Sequence, residues 1–120
     1  MSITVIDYGS GNLKSAAKAL ETAANNINVN SKIVVTSDPK EIKQSDKIVL
    51  PGQGSFRDCY SSIKKIPGLN ETLNEFVIEK KKPILGICVG MQLFAKTGYE
   101  SQETKGLGWI DAEVRKINNM

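Results

Sequence analysis

Three short runs, residues 3–6 (ITVI), 32–36 (KIVVT) and 47–50 (KIVL), are rich in β-branched side chains and carry apolar groups on consecutive rather than alternate positions. Successive residues of a strand point to opposite faces, so a strand of this kind must be covered on both sides. Between the first two runs, Leu13, Ala16, Ala17, Leu20, Ala23 and Ala24 recur at spacings of three and four, the stripe of a helix lying on a sheet. A fourth run occupies residues 83–87 (PILGI). Strands alternating with helical patterns predict an α/β fold, a mostly parallel sheet with helices on both faces. The 120 residues suffice for one such domain, which would bury roughly two thirds of its unfolded surface.

Smaller signals fill in this frame. Ser37-Asp38-Pro39 offers a cap and a first-turn proline for a short helix. A helix is expected over residues 56–65, broken by Pro67-Gly68, and then a second one with Leu69, Leu73, Phe76 and Val77 on its apolar face. Gly106-Leu-Gly-Trp109-Ile110, followed by Glu113-Val114, reads as a turn into another strand, and the sequence stops after Asn119-Met120 without a capping element.

The net charge of +3 is scattered, which gives no footprint for nucleic acid or a membrane surface, and the lysines at 80–82 read as a solvated helix end. The apolar stretch 84–95 falls short of the ~20 residues that span a bilayer. No secretory signal opens the chain, and two cysteines fit a reducing compartment, so a soluble cytoplasmic protein is expected.

Parallel sheets bind ligands beyond the carboxyl ends of their strands. Three unusual loops fall there, residues 7–12, 51–56 and 86–90. In the last, Gly86-Ile-Cys88-Val-Gly90 has the pattern of a nucleophile elbow, a sharp strand-to-helix turn. Such a turn strains the backbone at its centre and leaves room only for glycine on either side, so the side chain stands clear of the sheet. The following helix is expected to favour thiolate at Cys88, and the Val89 N–H to donate to an oxyanion. Cys59, inside a helical stretch without flanking glycines, reads as a packed residue.

A thiol at the ordinary pKa of ~8.5 is only a few per cent ionised at neutral pH, so it needs a base. The chain contains no histidine to serve as one. Pro51-Gly52-Gln53-Gly54 can supply a second oxyanion donor, because its glycines let a backbone amide approach a reacting carbonyl. Other motifs fail. Lys14 stands where a dinucleotide fingerprint after Gly9-Ser10-Gly11 needs its third glycine, and two distant cysteines without histidine do not make a zinc site. No cofactor and no metal is expected.

Residues 5–13 (VIDYGSGNL), 49–56 (VLPGQGSF), 82–93 (KPILGICVGMQL) and 106–110 (GLGWI) together resemble, in order, the glutaminase subunits of imidazole glycerol phosphate synthases, which are triad-type class I glutamine amidotransferases of flavodoxin-like fold. The resemblance covers essentially the whole chain. It implies that Cys88 attacks the carboxamide of glutamine, releasing ammonia and leaving a glutamyl thioester for water to hydrolyse. The oxyanion hole would be built from amides around Gly52 and Gln53 with that of Val89. Gln92 and Glu100 would hold the amino-acid group of the substrate. The loop bearing Tyr8 and Asn12 would face the partner, a (βα)8 cyclase subunit that uses the ammonia in histidine biosynthesis.

Gln53 and Asp111 depart from the family, which favours an apolar residue and a proline there. The family's catalytic His and Glu belong to a region these residues do not include. The resemblance therefore implies the N-terminal portion of a single amidotransferase domain over 1–120, nearly inactive alone and prone to self-association. The alternative is a non-catalytic binding or scaffold module of the same fold.

Overall fold

The computed structural model describes residues 1–100 and 102–117. Asn119 and Met120, where the sequence stops, lie outside the described residues. In chain order the elements are β1 (Ser2–Ile6), α1 (Leu13–Asn26), β2 (Lys32–Thr36), α2 (Pro39–Gln44), β3 (Lys47–Leu50), α3 (Phe56–Lys65), α4 (Leu69–Asn74), β4 (Ile84–Gly86), α5 (Val89–Gln92), β5 (Ala95–Tyr99), β6 (Glu103–Lys105) and β7 (Ile110–Arg115). The helix α4 runs on through a π-helical turn over Glu75–Glu79.

Four strands form a parallel sheet in the order β2-β1-β3-β4. Its centre is covered on both faces, as the consecutive apolar runs require: Ile48, Val49 and Leu50 follow one another along β3 and are all buried. Ile6, Leu50, Ile63, Leu73, Phe76 and Leu93 anchor the core that joins this sheet to its helices. Each such side chain contributes roughly 1.5–3 kcal/mol by leaving water. The stripe of α1 is less deeply set, and none of its residues is fully buried.

Local chemistry fixes the helix starts. Asn12 caps α1 by accepting the Ser15 N–H at 3.1 Å, Asp38 caps α2 through the Lys40 N–H, and Ser55 caps α3 through the Asp58 N–H. At Pro67-Gly68 the chain breaks between α3 and α4, with Gly68 at φ +79°.

The region after α5 differs from the sequence expectation. The helix behind the elbow is a single turn, and the chain then enters a second, three-stranded sheet in the order β6-β5-β7. Of these strands the sequence pattern predicts only β7, from the turn at residues 106–110. Tertiary contact, not local pattern, decides here. A Cβ on Gly98 of β5 would run into the Phe56 ring, so only glycine lets β5 lie against the start of α3. Trp109 then ties the second sheet to the helices, its ring centre 5.2 Å from that of Phe94 at a tilt of 44° and its indole N–H donating to Asn74.

Candidate active site

The loops after β1, β3 and β4 meet at the carboxyl edge of the parallel sheet. Tyr8 donates its hydroxyl to the Pro51 carbonyl, Ser10 meets Gln53, and a Cβ on Gly52 would strike the Gly90 nitrogen. These are the three loops singled out by sequence.

At the elbow, Ile87 N–H closes onto Leu50 O at 3.0 Å, Cys88 takes φ +54° and ψ −124°, and α5 begins at the next residue. A non-glycine residue at positive φ is strained by about 1–3 kcal/mol and persists only where its surroundings hold it. Both flanking glycines are required. A Cβ on Gly86 would fall 2.5 Å from Met91 Cα, and one on Gly90 would collide with the Leu50 carbonyl oxygen. The thiol of Cys88 is exposed, whereas Cys59 is buried in α3. One part of the expectation needs correcting: with only four residues, α5 is too short to carry a substantial dipole to Cys88. The Val89 N–H remains, without an acceptor among the described residues.

Gln53 is exposed, but its peptide is held. The Ser10 hydroxyl accepts its N–H at 2.9 Å and lies 3.0 Å from its carbonyl oxygen, while the Cys59 thiol lies 3.4 Å from that same oxygen. The Gln53 amide is thus engaged by Ser10 in this arrangement. No sequence signal marked Ser10 for this, because the two residues lie 43 positions apart.

Tyr8 does not face outward. It is 3 % exposed, its hydroxyl sits on Pro51 O, and burial, reinforced by Cys59, pushes its pKa far above the usual phenol value. It is a fixed hydrogen-bond donor under the loop at 51–54, so within the loop that bears Tyr8 and Asn12 the tyrosine side chain is buried. Asn12 is exposed, with its carboxamide oxygen on the α1 cap.

Gln92 and Glu100 line one cavity of about 450 Å³, together with Phe56, Gly98, Tyr99, Val114, Arg115 and Lys116. Glu100 is anchored there by accepting the Phe56 N–H at 2.8 Å with Oε2, at the first residue of α3. Cys88 is not on the wall of that cavity, but one turn of α5 joins them: the Gln92 N–H donates to Cys88 O. A larger open cavity of about 520 Å³, lined by Asn25, Asn28 and Asn30, lies where α1 leads into β2, away from the carboxyl ends of the strands. No group of His, Cys, Asp or Glu among the described residues is placed to hold a metal ion, and no described helix is long and apolar enough to cross a membrane.

The profile of the family described as glutamine amidotransferase class-I matches residues 4–110. Among curated proteins, the imidazole glycerol phosphate synthase subunit HisH of Pelagibacter ubique is 53% identical over 120 residues, covering 99% of this chain and 56% of that protein. The proteins of the same name from Bradyrhizobium diazoefficiens and Brucella suis are 51% and 47% identical over 117 residues, covering 98% of this chain and 54% of each of them. The chain spans about half the length of the curated relatives it matches. A strained, glycine-flanked cysteine at the end of a parallel strand, in a chain matched by that profile over nearly its whole length, makes this a member of the class I glutamine amidotransferase family.

Proposed function

We propose that these residues form the nucleophile-bearing portion of a glutaminase that hydrolyses glutamine to glutamate and ammonia, the ammonia passing to a (βα)8 cyclase subunit in histidine biosynthesis, in the cytoplasm. The observation that carries this reading is the exposed Cys88 at positive φ, between two glycines that tolerate no side chain. Its sulfur attacks the carboxamide carbon, and the tetrahedral oxyanion accepts the Val89 N–H and an amide from the Gly52-Gln53 segment. Release of ammonia leaves the thioester, which water opens. Gln92 and Glu100 hold the amino-acid head. The subunit names of the relatives support the assignment to this pathway. Asn12, exposed at the same edge of the sheet, faces the cyclase.

Because Gln53 N–H is bonded to Ser10, that donor becomes available only when the peptide moves, and the side-chain change at position 53 leaves this backbone requirement in place. The non-catalytic alternative is less well supported, since a scaffold needs neither an exposed cysteine in strained geometry nor Gln92 and Glu100 on one cavity.

A chloroketone analogue of glutamine tests the reading. Cys88 should be alkylated at least tenfold faster than Cys59, as read by peptide mass after partial reaction, because an accessible thiol beside a head-group site meets the reagent and a buried one does not. Equal rates would show that the elbow confers no activation.

Self-association is a second part of the proposal. The edge of β4 pairs only with β3 among the described residues, and Leu85, Ile87 and Met91 are exposed on or beside it. An open strand edge beside apolar side chains invites a second copy. Size-exclusion chromatography with light scattering should give a dimer or larger at micromolar concentration, and a monomer peak would end this part.

A further inference from the structure

The cavity that holds Gln92 and Glu100 also presents positive charge from Arg115 and Lys116. An α-amino acid carries an ammonium and a carboxylate one carbon apart, so a pocket that binds the whole head needs groups of both signs. Glu100 meets only the ammonium.

The position of Arg115 follows from the register of the second sheet. It is the last residue of β7, paired in parallel with Tyr99 of β5, next to Glu100 in sequence. Its guanidinium lies 4.1 Å over the centre of the Tyr99 ring, and its Nε donates to Glu113 Oε2 at 2.8 Å. Those two contacts fix the plane of the fork while using only one of its five N–H donors. The terminal Nη groups have no partner among the described residues and belong to a side chain on the wall of the cavity. As a surface pair alone, Arg115 and Glu113 would contribute little to stability.

We infer that Arg115 is the carboxylate-binding residue of this site: its Nη edge takes the α-carboxylate of the amino acid while Glu100 takes the ammonium and the side chain runs past Gln92 toward Cys88. The inference rests on the glutaminase reading and adds to it the element that would make the site selective for a free amino acid over an amine. A planar fork suits a carboxylate in a way a lysine ammonium does not, so Arg115 rather than Lys116 carries the role.

The test compares two chloroketones that differ only in the α-carboxylate, the glutamine analogue and its decarboxylated amine. In both, the Cys88 sulfur displaces chloride from the methylene carbon, and the second-order rates are read by mass. The readout is the ratio of the two rates, with iodoacetamide reporting the reactivity of the thiol itself. The wild-type chain should prefer the carboxylate-bearing reagent by about tenfold, the scale of a charge-assisted hydrogen bond. Arg115→Met should bring the ratio close to one, and so should Arg115→Gln, which serves if the first variant folds poorly. Glu100→Gln should slow both reagents. A wild-type ratio in either Arg115 variant overturns the inference, and if Glu100→Gln still slows both reagents the glutaminase reading stands without it. No preference in the wild type, together with no effect of Glu100→Gln, would remove both.

Discussion

Incubated with glutamine and a (βα)8 cyclase subunit, the 120-residue polypeptide should release ammonia about 10⁴–10⁶-fold more slowly than a full-length glutaminase subunit of the family, the scale on which triad enzymes lose turnover without their base. Two features of this chain place the deficit at that scale. It contains no histidine, and α5 is one turn long, so its dipole offers little substitute for a base at Cys88. Ser10 moreover holds the Gln53 N–H, one of the two proposed oxyanion donors, in a hydrogen bond of its own. What remains is the proposed nucleophile Cys88, exposed and at positive φ, one turn of α5 from the cavity proposed for the head group, an arrangement expected to support alkylation but not turnover. Ammonia release coupled to reductive amination of 2-oxoglutarate measures the rate. Turnover within about a hundredfold of a full-length subunit would mean that general base catalysis is available inside these 120 residues.

Much of the parallel sheet is legible in the sequence because its signals are local. Residues 32–36, 47–50 and 56–65 form elements over the spans their patterns predict, and Asp38 caps α2 where capping chemistry places it. The second sheet is largely hidden. Ala95–Tyr99 has no strict alternation, and its strand exists because Gly98 admits the Phe56 ring and Trp109 reaches Phe94 and Asn74. The same division runs through the site. Cys88 is readable, since glycine spacing announces the strained turn, whereas Ser10 and Tyr8 are defined by partners 43 positions away in sequence.

Gly90→Ala should be among the most damaging single substitutions in the chain, costing at least about 3 kcal/mol and abolishing cooperative unfolding if the remaining stability is smaller. Intrinsic propensity points the other way, since alanine is better than glycine in a helix by about 1 kcal/mol. Packing overrides it. The new methyl group would overlap the Leu50 carbonyl oxygen and press on the carbonyl carbons of Leu50 and Pro51, all backbone atoms with no rotamer to yield. That carbonyl oxygen also accepts the Ile87 N–H, and Leu50 pairs with Gly86, so moving it breaks the β3–β4 ladder at the point from which Cys88 is presented. Gly54→Ala is the control. Gly54 sits at φ +98° with nothing near its would-be Cβ, and its replacement should cost only the backbone strain, about 1–2 kcal/mol. Urea unfolding followed by Trp109 fluorescence ranks the two. If they prove equally tolerated, the close approach of β3 to the elbow does not exist, and the geometry assigned to Cys88 loses its support.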